Sequence, residues 1–245
     1  MTVADVVSAL ALPPESRVDR RVPKTLLVEN GAPTAADKRQ INDGLAELLW
    51  LAALKPSNIG VPEYRDTVRE VVEIAVLSAD LRPAAKAPRL IELIHRAIPY
   101  PVLLMSMQSE AVTLSLANKR FAQNEAGSVV LDGAVTVAPL ESSALLPHLA
   151  LTSQPRAHLF ALYEGWLACL EGFQAASITG RFVAAVNVEA AAARRTALAD
   201  HARLTREIAA FRAEAGRESQ ISRRVDLNLE VKRLEAELAE SLAKM

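Results

Sequence analysis

The stretch that decides the fold is TVREVVEIAVLSADLRPAAKAPRLIELIHRAIPYPVLLMSMQ, residues 67–108. Its first part, up to Leu81, crowds Val, Ile and Leu among small and charged residues, which is typical of a strand. The segment 87–98 places its apolar residues at helical spacing, and Pro99 ends that pattern. A third apolar run follows at 102–108. The order strand, helix, strand predicts a sheet with a helix packed on it.

Two further strand pairs are predicted downstream. The apolar runs PVLLMSMQ (101–108) and AVTLSLANKR (111–120) are joined at Ser109-Glu110, which predicts a β-hairpin. The run SVVLDGAVTVAPL (128–140) predicts another pair that turns at Asp132-Gly133, since Asp-Gly favours two-residue hairpin loops.

Upstream, the segment AADKRQINDGLAELLWLAAL (35–54) predicts an amphipathic helix capped by Thr34. Its apolar residues recur at steps of three and four, as one face of a helix requires: Ile41, Leu45, Leu48, Leu49 and Ala52. The fold class is therefore α+β, with a small α/β sheet domain at 1–140 followed by a helical region.

The helical region is expected to end in a coiled-coil hairpin. We predict a helical connector at 141–185 and a helical tail at 186–245. Pro147 and Pro155 interrupt the connector, which is therefore expected to consist of separate helical pieces. Apolar residues of the tail form a narrow seam, which needs a facing helix: Leu204, Ile208, Phe211, Val225, Val231, Leu234 and Leu238. Either the tail folds back near Gly216 as an antiparallel coiled coil, or one bent helix pairs with another chain.

Composition excludes several classes of protein. The chain of 245 residues has a formal net charge of −1, so no global field steers it to DNA or to an anionic membrane. A single cysteine, Cys169, excludes an intrachain disulfide framework and a multi-cysteine zinc site, and its apolar neighbours predict a packed thiol. We find neither a signal peptide nor an uncharged run long enough to span a bilayer, and therefore expect a cytoplasmic protein without a membrane partner.

No set of residues predicts catalysis. The chain has no phosphate-binding glycine loop, and no two of its four histidines have metal-ligand spacing. We therefore predict no catalytic residues, no metal and no cofactor, and expect a protein that is not an enzyme. The one enzymatic alternative is a divergent metal-dependent nuclease in which Glu70 or Glu73 acts with a nearby lysine, but the usual carboxylate-x-Lys pattern is missing.

Basic residues give the remaining signal. Between Leu81 and Asn124 there are six basic and two acidic residues, a local net charge of +4. Further clusters occur at 17–24 and 217–224, and Phe121 is the one aromatic residue placed to stack on a base. The predicted nucleic-acid-binding residues, which would neutralise phosphates, are Lys24, Arg96, Lys119, Arg120, Arg223 and Arg224.

Three blocks of the sequence resemble a known family. They are RVDRRVPKTLLVENGAPTAADKR, IELIHRAIPYPVLLM followed by LSLANKRFAQNE, and the tail RESQISRRVDLNLEVKRLEAEL. From about Arg17 to the C-terminus the chain resembles the bacterial family of domain of unknown function 4391. This resemblance implies an accessory component of phage-defence or restriction-like systems, with a helicase or a DNA methyltransferase as its partner.

We therefore expect a non-catalytic accessory subunit of a bacterial phage-defence or DNA-processing complex, which binds a protein partner or a second copy through its helical tail. The first alternative is a nucleic-acid-binding module, and the second is the nuclease.

Overall fold

The computed structural model describes residues 2–123, 127–140 and 143–245. Two compact units divide the chain, Met1–Leu170 and Glu171–Met245. The predicted boundary at 140/141 adjoins residues 141 and 142, which lie outside the described residues. Among the described residues, no helix combines the length and apolar composition that a membrane-spanning segment needs.

The first unit is built on a mixed sheet of six strands. In chain order its elements are α1 (Val3–Leu10), β1 (Arg17–Arg21), α2 (Lys24–Gly31), α3 (Ala35–Arg39), β2 (Leu45–Leu54), α4 (Pro56–Ile59), β3 (Tyr64–Arg65), β4 (Glu70–Val71), β5 (Ile74–Leu81), α5 (Ala87–Ala97), β6 (Val102–Gln108), β7 (Ala111–Leu116), β8 (Lys119–Phe121), β9 (Val129–Leu131) and β10 (Thr136–Pro139). The six-stranded sheet has the order β1-β2-β5-β6-β7-β10, and β3-β4 and β8-β9 form separate two-stranded sheets.

The decisive segment has the predicted order of strand, helix and strand, but its first strand, β5, begins only at Ile74, and Glu70–Val71 belongs to β4. β5 and β6 are parallel, and α5 connects them, as a parallel pair requires. The hairpin at Ser109-Glu110 is also confirmed, because β6 pairs with β7 in antiparallel register. Both turn residues have positive φ, 47° and 70°, which is the conformation of a tight two-residue hairpin loop.

The predicted helix at 35–54 is wrong beyond Arg39. Thr34 does cap a helix, but α3 gives way to a π-helical turn at Gln40–Gly44, and the remainder is strand β2. β2 pairs with β5 and has two register shifts, each of which inserts one residue. The first inserted residue places Leu45 and Leu48 three positions apart on one face of the sheet, and the second places Leu49 and Ala52 three positions apart on the other face. Together these steps imitate helical spacing.

The predicted strand pair at 128–140 is also wrong. Both segments are strands, but β9 pairs with β8, while β10 leaves the Asp132-Gly133 turn and pairs with β7. The main sheet offers β10 an open edge at β7, and that pairing takes the place of the local hairpin.

One face of the sheet is covered by α2 and α5. The main core cluster contains alternate residues of β5, Ala75, Leu77, Ala79 and Leu81, together with the apolar faces of both helices. α2 approaches α5 closely at its end, since a Cβ on Gly31 would lie 2.7 Å from the Ala97 Cβ. This contact holds the end of α2 against the last turns of α5.

The helix α6 (Leu159–Thr179) contacts the first unit's sheet through one side chain, at the end where β6 begins and β7 finishes. The Tyr163 hydroxyl accepts a hydrogen bond from the Ala117 amide at 2.8 Å and donates to the Val102 carbonyl at 2.9 Å. This buried hydroxyl satisfies backbone groups of β6 and of the chain just beyond β7, groups that would otherwise be costly to bury.

The second unit ends in a helical hairpin. α7 (Val188–Arg217) and α8 (Ile221–Leu242) pack against each other, with the turn at 218–220. Leu204, Ile208, Val231 and Leu234 form a buried cluster, and Phe211 and Leu238 pack against it. The predicted seam is therefore paired within the chain, except for Val225, which is 50 % exposed and lies outside the cluster.

Candidate nucleic-acid interface

The candidate site lies at the carboxyl ends of the parallel strands β5 and β6. In open α/β sheets this is where ligands most often bind, because loops leave the sheet there. The loop from Arg82 to Lys86 is held in shape by Gln108 of β6, whose amide donates to the carbonyls of Arg82, Pro83 and Ala85 at 2.9–3.1 Å.

Two cationic side chains converge on the π-helical turn beside this loop. Lys24 Nζ donates to the Asn42 carbonyl at 3.1 Å, and an Arg82 guanidinium nitrogen donates to the adjacent Asp43 carbonyl at 3.1 Å. Gly44 allows the loop to approach, since a Cβ there would lie 3.1 Å from the Ala85 Cβ. Departures from α-helical geometry of this kind are frequent at functional sites.

A third cation, Arg21, completes a group that we call the basic edge: Arg21, Lys24 and Arg82. Burial lowers the pKa of Lys24, the positive charges of Arg82 and Arg21 lower it further, and Asp43 opposes the change. Arg21 also faces Glu47 at 3.5 Å, but both side chains are well exposed, and exposed ion pairs stabilise a fold by at most about 1 kcal/mol. Like charges held together are unfavourable for the free protein and favourable for an anion that binds to them.

Arg96 and Arg120 lie elsewhere in the first unit. Arg96, on α5, binds Glu92 at 3.0 Å, and Arg120, on β8, faces Asp132 at 3.6 Å. Both guanidinium groups are therefore partly neutralised by carboxylates. Phe121, the predicted stacking residue, is 37 % exposed next to Arg120.

Lys119 is an internal residue. It is 6 % exposed, and its ammonium group donates to the carbonyl of Ile98 and, at 2.5 Å, to that of Tyr100. Burial lowers its pKa to about 7. The side chain therefore holds the loop after α5 in place and is not available to a phosphate at the surface.

His95 belongs to the same buried region and has a structural environment. Its Nε2 lies 3.0 Å from Ser115 Oγ, while Nδ1 has no hydrogen-bond partner among the described residues. Burial and then the Lys119 charge hold the pKa of His95 well below its usual range. A fully buried imidazole cannot reach a substrate, so His95 has a structural role.

Arg223 and Arg224 belong to the second unit. Arg223 interacts with Glu214 at 3.5 Å and with Glu218 at 3.4 Å across the turn of the hairpin. Arg224 is exposed on α8 and has no ion-pair partner within the part of the chain that the structure describes. The predicted set is thus distributed over several places, and only Lys24 lies in the basic edge.

The proposed nuclease centre finds no support in this geometry. Glu73 lies just before β5, at the end opposite to the basic edge, where its buried carboxylate binds Lys55 at 3.0 Å. Within residues 2–123, 127–140 and 143–245, no group of three His, Cys, Asp or Glu residues is arranged to hold a metal ion.

Arg21 and Arg82 are the residues that sequence reasoning left out of the predicted site. Each occurs in a basic cluster of the sequence, but 61 positions separate them. β2 runs antiparallel to both β1 and β5, so β1 and β5 run in the same direction. The last residues of β1 and of β5 therefore lie at the same end of the sheet, where Arg21 and Arg82 meet.

The fold and the basic edge define a mixed α/β protein with a charged sheet end and a helical hairpin. A family model described as a domain of unknown function (DUF4391) matches residues 10–238, so the chain belongs to this family. No curated protein and no solved structure matches the chain.

Proposed function

We propose that the protein is a non-catalytic accessory subunit that binds nucleic acid through the basic edge. The observation that carries this proposal is the convergence of Arg21, Lys24 and Arg82 at one end of the sheet. The binding is to the phosphate backbone, because contacts from ammonium and guanidinium groups to phosphates fix a protein on nucleic acid without reading the sequence of bases.

The charge count sets the expected salt dependence. Each phosphate contact on duplex DNA contributes about 0.9 to the slope of log K against log salt, so three contacts contribute about 2.7. We expect the triple variant R21Q/K24Q/R82Q to lose about that much slope in fluorescence anisotropy with a labelled 30-base-pair duplex between 50 and 200 mM NaCl.

The matched control removes three exposed cations of the second unit, R206Q/K232Q/K244Q, and has the same net charge as the triple variant. We expect it to bind with the unchanged slope. Equal losses in both variants would show that the basic edge has no special role, and no retention of duplex or single-stranded DNA or RNA by the unaltered protein would reject nucleic-acid binding.

A second function, protein association, is favoured by the outer face of α8. We propose that α7 and α8 form an antiparallel coiled coil, supported by inward residues at 227, 231, 234, 238 and 241, the alternating steps of four and three of a heptad. On the opposite side, Ile221, Val225 and Leu229 are 69 %, 50 % and 59 % exposed at successive steps of four. Such a stripe is what a helix presents to a partner.

We propose that this stripe attaches the protein to a phage-defence or DNA-processing complex in the bacterial cytoplasm, with a helicase or methyltransferase component as the partner. Co-purification with the products of neighbouring genes tests this. We expect V225E/L229E to lose the partner, while A202E/A209E, which adds two glutamates at exposed positions of α7, keeps it. Light scattering distinguishes a homodimer from this complex, and full recovery of the partner by V225E/L229E contradicts the proposal.

A further inference from the structure

A groove of about 360 Å³ lies in the first unit between the end of α2, the helix α5 and strand β9. We call it the β9 groove; the residues that matter for the argument are Glu29, Gly31, Arg96, Val129 and Leu131. Its volume is in the range of ordinary ligand sites. The helical wall is rigid, because Gly31 fits against α5 with no space for a Cβ.

The strand wall of the groove carries backbone groups without partners. Among the described residues, β9 pairs only with β8. Two backbone bonds flank the pair: the Ala122 amide donates to the Ser128 carbonyl, and the Asp132 amide donates to the Asn118 carbonyl. They show which opposed residues of β8 and β9 are hydrogen-bonded pairs, since these alternate along an antiparallel ladder. Those bonds make Arg120 and Val130 the hydrogen-bonded pair, so the N–H and C=O groups of Val129 and Leu131 point away from β8. In the described ranges of the chain, no other backbone or side-chain group bonds to them.

The residues that carry these groups are half-buried, which makes the lack of partners significant. Val129 and Leu131 are of intermediate exposure, whereas Val130 is 38 % exposed on the ribbon surface. An unpaired strand edge is normally shielded or blunted, since it can template pairing with another chain. Here the unpaired strand lines a groove of about 360 Å³ whose other wall is formed by residues of α2 and α5.

One cation in the groove can exchange its partner. Arg96 projects from α5 with its side chain 47 % exposed and binds Glu92 at 3.0 Å, a pair of the exposed kind that contributes at most about 1 kcal/mol. Glu92 also binds Arg89 at 2.8 Å and keeps that partner when a ligand carboxylate takes its place on Arg96. Glu29 and the last carbonyls of α2 carry negative charge on the other wall of the groove, so the acidic side chain of a ligand has to lie on the Arg96 side. An extended peptide places successive side chains on opposite faces about 3.3 Å apart, so it can oppose an acidic residue to Arg96 while its backbone pairs with β9.

We propose that the β9 groove binds an extended peptide segment of a partner protein by β-strand addition, with an acidic side chain of the peptide paired to Arg96. Backbone hydrogen bonds to Val129 and Leu131 contribute affinity, and Arg96 contributes selectivity. The site is separate from the basic edge, and neither proposal depends on the other.

The test uses the full-length protein and two pooled libraries of synthetic hexapeptides that alternate Thr with Val or Ile. One library contains a central Asp and the other a central Lys. We expect retention of the Asp library and at least tenfold weaker retention of the Lys library. The variant R96E should reverse this preference, while R120E, on the neighbouring strand β8 and outside the groove lining, should not.

N-methylation of the retained peptides distinguishes strand addition from other modes of binding. Successive amides of an extended peptide point to opposite sides, so only every second amide can donate to β9. One series of peptides is methylated on the odd-numbered amides and the other on the even-numbered amides. The series whose methyl groups face β9 should bind at least tenfold more weakly, and the other should bind unchanged. Amide chemical shifts of Val129 and Leu131 should move on binding. Retention of neither library, equal loss in both methylated series, or dimerisation of the protein through β9 would overturn the proposal.

Discussion

Replacing Lys119 by methionine should remove a pH dependence of stability that the buried ammonium group creates. The ordinary lysine pKa of 10.5 falls to about 7 in the folded chain because burial disfavours the charged form. Between these two values the unfolded chain binds more protons than the folded chain. The free energy of unfolding therefore rises with pH above about 7, by as much as 1.36 kcal/mol per pH unit.

The size of this effect follows from the two pKa values. Between pH 7 and pH 9 the protein should gain about 2 kcal/mol of stability relative to Lys119→Met. His95 adds little in this window, since its pKa is lowered and it is neutral in both states above pH 7. The variant also leaves the carbonyls of Ile98 and Tyr100 without their donor, which costs about 1–3 kcal/mol for each buried group and does not depend on pH.

Urea denaturation of both proteins at pH 7, 8 and 9 measures the difference. We expect the curves of wild type and Lys119→Met to diverge as the pH rises, while Lys38→Met, an exposed lysine on α3, follows the wild type at every pH. Parallel profiles for wild type and Lys119→Met would refute the reasoning, because they would mean that Lys119 keeps an ordinary pKa in the folded chain.

Three further predictions concern stability and reactivity. Leu234→Ala, at a residue 2 % exposed in the hairpin, should lower the free energy of unfolding of the second unit by about 2–5 kcal/mol, while Leu229→Ala, 59 % exposed, should change it by less than about 0.5 kcal/mol in chemical denaturation. Similar losses in the two variants would contradict the observed pairing of α7 with α8. The double variant S109N/E110G should raise the melting temperature by stabilising the hairpin by about 1 kcal/mol, because both positions have positive φ; an unchanged or lower value would mean that the turn is not strained. Cys169, whose pKa burial raises to about 11, should react with iodoacetamide at pH 8 only after unfolding, and rapid alkylation of the folded protein would disprove this.

The sequence predicted the parts of the fold that depend on local pattern. Residues 87–98 carry a clear helical period and a proline stop, and α5 ends at Ala97. The two runs around Ser109-Glu110 form adjacent strands, because the turn is too short for any other connection. Six of the seven predicted seam residues, all but Val225, pack together in the hairpin, because their narrow apolar faces had a complementary helix a short distance along the chain.

The parts of the fold that the sequence did not predict depend on pairing between strands that are distant in sequence. β2 has a helix-like spacing of apolar residues only because two inserted residues interrupt its alternation, and nothing local reveals them. In the same way, β10 pairs with β7 and leaves β9, although Asp132-Gly133 is a strong hairpin signal. The basic edge was missed for this reason, since Arg21 and Arg82 meet only through the order of the strands.

The turn between α7 and α8 has a consequence for how the chain reaches its native state. Because only residues 218–220 separate the two helices, the contacts of the hairpin join segments close in sequence, and the entropy lost in closing the loop is small. The sheet is different, since its edge strand β1 must find β2 across two intervening helices. We therefore expect the tail to acquire its structure well before the sheet does during refolding, as the general link between low contact order and speed implies.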